Sequence, residues 1–247
     1  VTVSVTISTP LSITTPLPAT GVHCESQDIN LNVGVAGTGP YTYNWTLNGS
    51  SIGTNANAYS KTNVTVADSG QYVVSIMGSA ACPTVYDSTA MDVNKAPVIV
   101  TQPNGSSPIC FGSNSTMTVA TNHASSMEWH KVGLGNTSQT STTYSITNAN
   151  LTDAGKYFVI AKAQPACTDL NSSEFELKVN SPAVVVAHPA GAGILEDPAG
   201  SYTMNVVATG TGPLSYQWYR EGNAIPAATS SSYTITNYVA VLDSGTY

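Results

Sequence analysis

The segment Tyr216-Gln217-Trp218, followed twenty-five residues after its tryptophan by Asp243-Ser244-Gly245-Thr246-Tyr247, decides the fold of this chain. The same two-part frame occurs twice upstream. It pairs Trp45 with Asp68-Ser69-Gly70-Gln71-Tyr72, and Trp129 with Asp153-Ala154-Gly155-Lys156-Tyr157. The tryptophans lie 84 and 89 positions apart. The chain is therefore predicted to consist of three repeats of about 85 residues.

The segments between these landmarks alternate apolar and polar residues with the period of a β-strand. Strands are predicted over residues 29–36, where Leu31, Val33 and Val35 alternate inward, and over residues 214–219, and Asn48-Gly49 is a strong hairpin-turn signal. Hydrophobic residues make up 41% of the chain, which favours a folded protein over a disordered Ser/Thr-rich stalk. No segment has helical periodicity, so the fold class is predicted to be all-β.

A tryptophan in a strand, followed by an Asp-x-Gly-x-Tyr turn, resembles the core frame of immunoglobulin-like (Ig-like) sandwiches. The resemblance implies tandem Ig-like β-sandwiches arranged head to tail. It places each tryptophan under the core between the two sheets, and each tyrosine at the corner entering strand F. We expect the aspartates to cap backbone amides of that corner rather than to act as acids. The residues with these expected roles are Trp45, Trp129, Trp218, Tyr72, Tyr157, Tyr247, Asp68, Asp153 and Asp243.

Short segments containing proline separate the repeats and set the predicted domain boundaries. Residues 1–8 are predicted to be the closing strand of a preceding unit. The three Ig-like units are predicted at residues 9–95, 96–180 and 181–247, the last without strand G and most of strand F. We expect the chain to belong to a longer array. Because proline restricts the short joints, neighbouring units should have a limited range of angles.

The four cysteines do not occupy the usual core disulfide positions, which hold valines in the first two repeats. Cys24 and Cys110 each lie seven residues before the first inward residue of strand B. Cys82 and Cys167 each lie ten residues after the corner tyrosine, in the turn between strands F and G.

Two sets of cysteine pairs remain open from the sequence. Similar spacings of 58 and 57 positions favour Cys24 with Cys82 and Cys110 with Cys167. However, strand B begins at the end of a sandwich opposite the F–G turn, roughly 20 Å away, and a disulfide needs Cα atoms within about 7 Å. We favour the pairing of Cys24 with Cys167 between units, which leaves Cys82 and Cys110 to pair with units outside this chain.

The displaced cysteines, one before strand B and one after the Gly-x-Tyr strand, resemble those of Ig-like repeats in large secreted and cell-surface proteins of Bacteroidota, including gliding adhesins. The third repeat departs from this pattern, because Asp197 replaces the first cysteine. The resemblance implies an extracellular or cell-surface location.

Charge and motif content point away from several function classes. Seven Lys and Arg against fourteen Asp and Glu give a net charge of -7, which does not suit a nucleic-acid partner. No apolar run is long enough to cross a membrane. No nucleophile turn or ligand spacing of histidines occurs, so we expect no enzyme, no cofactor and no metal site. Asp28, Glu196 and Asp197 are the weak candidates for calcium.

The function predicted from the sequence is that of a non-catalytic segment of a long extracellular adhesin or surface filament. Its repeats would be stiff spacers or adhesive modules for a glycan or protein receptor, and residues 1–7 could complete another copy in a fibre. The alternatives are an accessory carbohydrate-binding array of a secreted hydrolase and a phage or virion decoration protein. Tyr41, Tyr43 and Tyr219 are the candidate sugar contacts.

Overall fold

A computed structural model describes residues 8–53, 55–78, 83–190 and 200–247 of the chain. The predicted strand at residues 1–7, together with Cys82, Glu196 and Asp197, lies outside the described residues. The all-β prediction is confirmed. The chain divides into two compact units. The first comprises the described residues within 1–104, 117–144 and 157–175, and the second those within 105–116, 145–156 and 176–247.

The first repeat lies wholly in the first compact unit. Its strands are β1 (Ser12–Thr15), β2 (Thr20–Cys24), β3 (Ile29–Asn32), β4 (Gly34–Ala36), β5 (Thr42–Leu47), β6 (Ser50–Ser51), β7 (Ala58–Lys61), β8 (Gly70–Met77) and β9 (Val85–Asn94). One sheet has the order β2, β9, β8, β5 and β6, while β1 pairs with β4 and β3 with β7.

The tryptophan strand β5 pairs antiparallel with β8 and places Trp45 opposite Val74. Both side chains are fully buried. Asn48 and Gly49, with φ of 49° and 84°, form the left-handed turn into β6, as the sequence predicts. The core of the repeat consists of Leu11, Leu17, Ile29, Leu31, Val33, Trp45, Val64, Tyr72, Val74, Ile76, Met91 and Val93.

Two features of the first repeat differ from the sequence prediction. Strand β2 was not predicted, because its sequence, TGVHC, lacks apolar alternation. It runs parallel to β9 and aligns Cys24 with Asn94. The strand predicted over residues 29–36 is divided at Val33, since β3 and β4 pair with different strands and the Val33 amide donates instead to Asn57 O at 3.0 Å.

The second repeat has a similar series of elements and contributes to both compact units. Its strands are β10 (Val98–Gly105), β11 (Ile109–Cys110), β12 (Ser115–Asn122), β13 (Ser126–Lys131), β14 (Gly135–Asn136), β15 (Thr143–Ile146), β16 (Gly155–Lys162), β17 (Leu170–Asn171), β18 (Phe175–Leu177) and β19 (Val179–Asn180). In the first unit, β14, β13, β16 and β17 lie side by side, and Trp129 is opposite Val159. In the second unit, β11 runs parallel to β19.

The third repeat lies in the second compact unit. Its elements are β20 (Val184–Ala187), β21 (Ser201–Asn205), β22 (Val207–Thr209), β23 (Tyr219–Arg220), β24 (Asn223–Ala224), β25 (Ser232–Thr236) and α1 (Ala240–Asp243). The strand predicted over residues 214–219 is wrong except for Tyr219. In the first two repeats the tryptophan strand pairs with the strand that follows the corner. In the described part of the third repeat no strand includes residues 214–218, and the Trp218 backbone bonds instead with Ile225 and Ala228, at 2.9 Å each.

The Asp-x-Gly-x-Tyr corner has matching hydrogen bonds in the first and third repeats. The Tyr72 hydroxyl donates to the Asp68 carbonyl oxygen at 2.8 Å, and the Tyr247 hydroxyl donates to that of Asp243 at 3.0 Å. In the first repeat the Asp68 carboxylate also accepts the Thr65 amide at 2.8 Å. These bonds hold the chain at the start of β8, the strand that the tryptophan strand contacts.

Burial, with smaller contributions from Tyr59 and Asp68, raises the pKa of Tyr72 to about 12. An exposed tyrosine has a pKa of about 10. The unfolded chain therefore loses its phenol proton first, so this contribution to stability is complete below about pH 10 and is lost as the pH rises towards 12.

We predict that Tyr72→Phe lowers the free energy of unfolding at pH 8 by about 1 kcal/mol, because one partly buried hydrogen bond is lost. The variant should also lose less stability than the wild type between pH 8 and pH 11. Urea unfolding at the two pH values measures both effects. Tyr86→Phe is the matched control, since Tyr86 is 66% exposed. An equal response of the two variants would contradict the role given to Tyr72.

Candidate functional site

A disulfide within the first compact unit joins the first repeat to a turn of the second repeat. It links Cys24, at the end of β2, to Cys167, in the turn between β16 and β17, with a Cα–Cα distance of 5.0 Å. This is the pairing that the sequence analysis favours on geometric grounds. Cys110 is an exposed free thiol.

The Cys24 side of this joint is a tight turn at the end of β2. The Cys24 amide donates to the Gln27 side-chain oxygen at 2.9 Å, and the Gln27 amide donates back to the Cys24 carbonyl at 3.1 Å. The Glu25 amide donates to Asn94 O at 2.9 Å and continues the parallel pairing of β2 with β9. The position of Cys24 is thus set by the backbone hydrogen bonds around it.

Two side chains of the first repeat hold the Cys167 turn by its backbone. The side-chain amide of Asn94 donates to Pro165 O at 3.1 Å, and the side-chain amide of Gln27 donates to Ala166 O at 3.3 Å. The turn is closed by the Cys167 amide, which donates to Gln164 O at 3.1 Å. These contacts use main-chain carbonyls, so they recognise the shape of the turn more than its side chains.

An ion pair supports the base of the same turn. Lys162 Nζ lies 3.0 Å from the Asp169 carboxylate, which also accepts the Ala163 amide at 2.8 Å. The hydrogen bond from the Ala163 N–H, and to a smaller extent the one from Lys162, keeps the pKa of Asp169 below its usual value of about 4. Its stabilising contribution is therefore present above that pH and is lost as the pH falls through the lowered pKa. Both side chains are accessible to solvent, so this contribution is small.

A pair of hydrogen bonds attaches the proline-containing segment at the start of the first repeat to a turn of the same repeat. The Thr9 amide donates to the Thr38 hydroxyl at 2.8 Å, and the Thr38 amide donates to Thr9 O at 3.2 Å. Gly37, with φ of 135°, lies so close that a Cβ atom there would be 2.8 Å from Pro10 O. We call this contact of Gly37 and Thr38 with the segment Thr9-Pro10 the Gly-Thr clasp.

The same clasp occurs in the third repeat, within the second compact unit. The Ser181 amide donates to the Thr211 hydroxyl at 2.8 Å, and the Thr211 amide donates to Ser181 O at 3.1 Å. A Cβ atom on Gly210 would lie 2.8 Å from Pro182 O. Both clasps use a Gly-Thr-Gly-Pro sequence, at residues 37–40 and 210–213, which by itself predicts only a turn. The sequence signal for the clasp is the recurrence of this motif after a proline-containing segment.

The tryptophans and aspartates singled out in the sequence are in structural positions. Trp45, Trp129 and Trp218 are buried, and their indole N–H groups donate to backbone carbonyls at 2.8–2.9 Å. The Asp153 and Asp243 carboxylates accept backbone amides of the corner at 2.8 and 2.6 Å, as Asp68 does. Tyr157 is buried in the second repeat.

The three tyrosines proposed as sugar contacts belong to two different compact units. Tyr41 and Tyr43 pack against the core of the first repeat. The Tyr41 hydroxyl donates to Gly37 O at 2.6 Å, and burial, with a smaller effect of Tyr41, raises the pKa of Tyr43. Tyr219 belongs to the other compact unit and is 51% exposed. Only Tyr219 presents a largely open ring.

Among the described residues, no group of three or more His, Cys, Asp or Glu side chains is placed so that it could hold a metal ion. The calcium candidate Asp28 accepts the Asn63 amide at 3.1 Å. A cleft of about 240 Å³ in the third repeat is lined by Pro189, Val206, Tyr216, Gln217 and Trp218, of which only Tyr216 is titratable. No helix in the described part of the chain is long and apolar enough to span a bilayer.

Comparison with solved structures identifies the fold. The chain is similar to an E-to-A mutated variant of titin domains I67–I69, with a TM-score of 0.69, 17% identity and coverage of 94% of this chain and 90% of that chain. The titin I-band fragment I67–I69 gives the same TM-score and coverage at 16% identity. The fold is a tandem array of Ig-like domains. Extracellular domains 3–5 of Drosophila OTK match with a TM-score of 0.40, 16% identity and coverage of 96% and 92%.

No protein-family model and no curated protein matches the chain. The likeness to titin at this level of identity concerns the Ig-like fold alone.

We predict that Gly37→Ala weakens the clasp on the proline-containing segment. At φ of 135° an alanine is strained, and its methyl group would collide with Pro10 O, so we expect a loss of about 1–3 kcal/mol in the free energy of unfolding. Urea unfolding measures this loss, and limited proteolysis reports faster cleavage near Pro10.

Gly49→Ala is the matched control, because Gly49 also has a positive φ, of 84°, but a Cβ atom there would meet nothing within 4 Å. Its cost should stay near the 1–2 kcal/mol of a left-handed residue, without faster cleavage near Pro10. Equal cleavage in the two variants would show that the clasp does not hold this segment.

Proposed function

We propose that this chain is a non-catalytic segment of a long extracellular adhesin or surface filament, in which Ig-like repeats at residues 9–95, 96–180 and 181–247 serve as stiff spacers or adhesive modules. The observation that carries the proposal is the Cys24–Cys167 disulfide. A cross-link at a joint, rather than inside a sandwich, restrains one repeat relative to the next. That restraint is what a spacer needs in order to keep its reach.

Further features support an extracellular structural role. Disulfides persist in oxidising compartments, so the joint suits a secreted protein. The displaced cysteines resemble those of surface-protein repeats of Bacteroidota. The aspartates of the three corners are engaged with backbone amides, which leaves them no evident part in acid–base chemistry.

The accessory carbohydrate-binding array is the weaker hypothesis. Sugar stacking needs an accessible aromatic face, whereas Tyr41 and Tyr43 pack against the core. Tyr219 alone remains as an open ring among the three candidates. A protein partner, or further copies of the same chain, fits the polar and weakly charged surface better.

The disulfide also changes how the chain would carry tension. Cys24 and Cys167 are 143 positions apart in sequence. A force applied to the two ends of the chain would pass from Cys24 directly to Cys167 through the sulfur atoms. The residues between them are then outside the load path, and unfolding cannot lengthen the chain by extending them.

We predict that single-molecule pulling of the oxidised protein gives a total extension shorter by on the order of 500 Å than that of the reduced protein. This length corresponds to 143 residues at about 3.3–3.6 Å each. The Cys167→Ser variant should reach the full extension without reductant. Cys110→Ser is the control and should keep the shortening that the Cys24–Cys167 bond causes, since Cys110 is not part of that bond.

Equal extension of the oxidised wild type and Cys167→Ser would contradict the proposal that the joint limits extension.

A further inference from the structure

The backbone setting of Cys24 recurs around Cys110 in the second repeat. Cys24 is aligned with Asn94 across the parallel strands β2 and β9, and Cys110 is aligned with Asn180 across the parallel strands β11 and β19. In both repeats the residue after the cysteine donates its amide to the carbonyl of that asparagine, at 2.9 and 2.8 Å. The two cysteines therefore end equivalent strands with the same neighbour.

The turn that follows each cysteine is also the same. Its second residue, Ser26 or Gly112, has a left-handed φ of 70° or 81°. That residue donates its amide to Val64 O or Ala149 O, at 2.8 and 2.7 Å. The third residue donates its amide back to the cysteine carbonyl at 3.1 Å in both repeats. The geometry that presents Cys24 to its partner is thus already formed around Cys110.

The two settings differ in whether the cysteine has a disulfide partner. Cys24 is bonded to Cys167, and the Asn94 side-chain amide holds Pro165 O of the incoming turn. Cys110 is exposed and free. Across the described part of the chain, no hydrogen bond from the Asn180 side-chain amide is found, although it has the same register position as Asn94.

The residues beside Cys110 show what kind of partner the setting suits. Phe111, at the position of Glu25, is 52% exposed, and covering it would remove apolar surface from water. Ser113 is at the position of Gln27 and is too short to repeat the contact with the Ala166 carbonyl. A partner turn at Cys110 would therefore be held by the cysteine, Asn180 and apolar contact with Phe111.

We propose that Cys110, Asn180 and Phe111 form a second cross-linking half-site, which receives the cysteine-bearing turn of another Ig-like repeat and joins it by a disulfide. The argument rests on the occupied joint, in which the equivalent cysteine makes this bond to this kind of turn. It deepens the proposed spacer function, because a second such bond would extend the cross-linking beyond the first joint.

The bond forms by thiol–disulfide exchange with a small-molecule disulfide such as oxidised glutathione. The Cys110 thiolate attacks one sulfur of that disulfide and releases one small thiolate. The partner cysteine thiolate then attacks Cys110 Sγ and releases the second. Two protein thiols are oxidised, two small thiols are produced, and their two protons go to the products or the solvent.

The test uses the full-length protein, produced in an oxidising compartment and harvested with a thiol-alkylating reagent. Trypsin without reduction releases residues 96–131, whose only cysteine is Cys110. The proposal expects this peptide to be disulfide-linked to a peptide with a cysteine about ten residues after a Gly-x-Tyr sequence. An alkylated or glutathione-capped Cys110 would overturn it, as would linkage to residues 163–178, which contain Cys167.

Co-expression of two copies with different affinity tags separates the two sources of the partner turn. A reducible complex that contains both tags identifies a second copy. Linkage confined to one tag identifies another repeat of the same polypeptide. Both results support the half-site, and the pulling experiment reports on the Cys24–Cys167 joint independently.

Asn180→Ala distinguishes a formed half-site from an exposed thiol that reacts on contact. Loss of one hydrogen bond should make the Cys110 linkage about threefold to tenfold more sensitive to reductant. Asn122→Ala, which changes an exposed asparagine elsewhere, is the control and should leave the sensitivity unchanged. Equal sensitivity in the two variants would overturn the role of the half-site.

Discussion

The covalent bond between Cys24 and Cys167 is the constraint on which the joint between the first two repeats depends. It closes a loop of 143 positions, and chain entropy alone gives such a closure a stabilisation on the order of 5 kcal/mol. The hydrogen bonds from Asn94 and Gln27 to the incoming turn contribute about 1 kcal/mol each. They orient the turn, whereas the disulfide keeps it in place when those bonds open.

The cores of the sandwiches and the joint between the first two repeats are stabilised by different interactions. The usual core disulfide positions hold Val33 and Val74 in the first repeat, and Val119 and Val159 in the second, all buried. Their sandwiches are therefore stabilised by apolar packing around the tryptophans, without a covalent bond. The cross-link acts at the joint, where side chains of the first repeat hold the Cys167 turn by its backbone carbonyls. The Gly-Thr clasp likewise holds a segment by its backbone, since the Thr9 amide and carbonyl bond to the hydroxyl and amide of Thr38.

Much of the fold could be predicted, because the Trp and Asp-x-Gly-x-Tyr frame contains its own packing and turn chemistry. Alternation predicted most strands within a few residues. Strand β2 was missed because it is short and polar, and its ladder with β9 depends on residues far away in sequence. The pairing of Cys24 with Cys167 could be favoured but not decided, since spacing alone supports Cys24 with Cys82. The clasp was missed because the Gly-Thr-Gly-Pro sequence predicts only a turn, and its contact with Thr9 spans 29 positions of sequence.

Peptide mapping of the unreduced protein tests the joint most directly, because trypsin separates all four cysteines into different peptides. The structure predicts that the peptide that ends at Lys61 and contains Cys24 is recovered linked to residues 163–178, which contain Cys167. Its recovery linked to residues 62–95, which contain Cys82, would place the disulfide within one repeat and contradict a cross-linked joint.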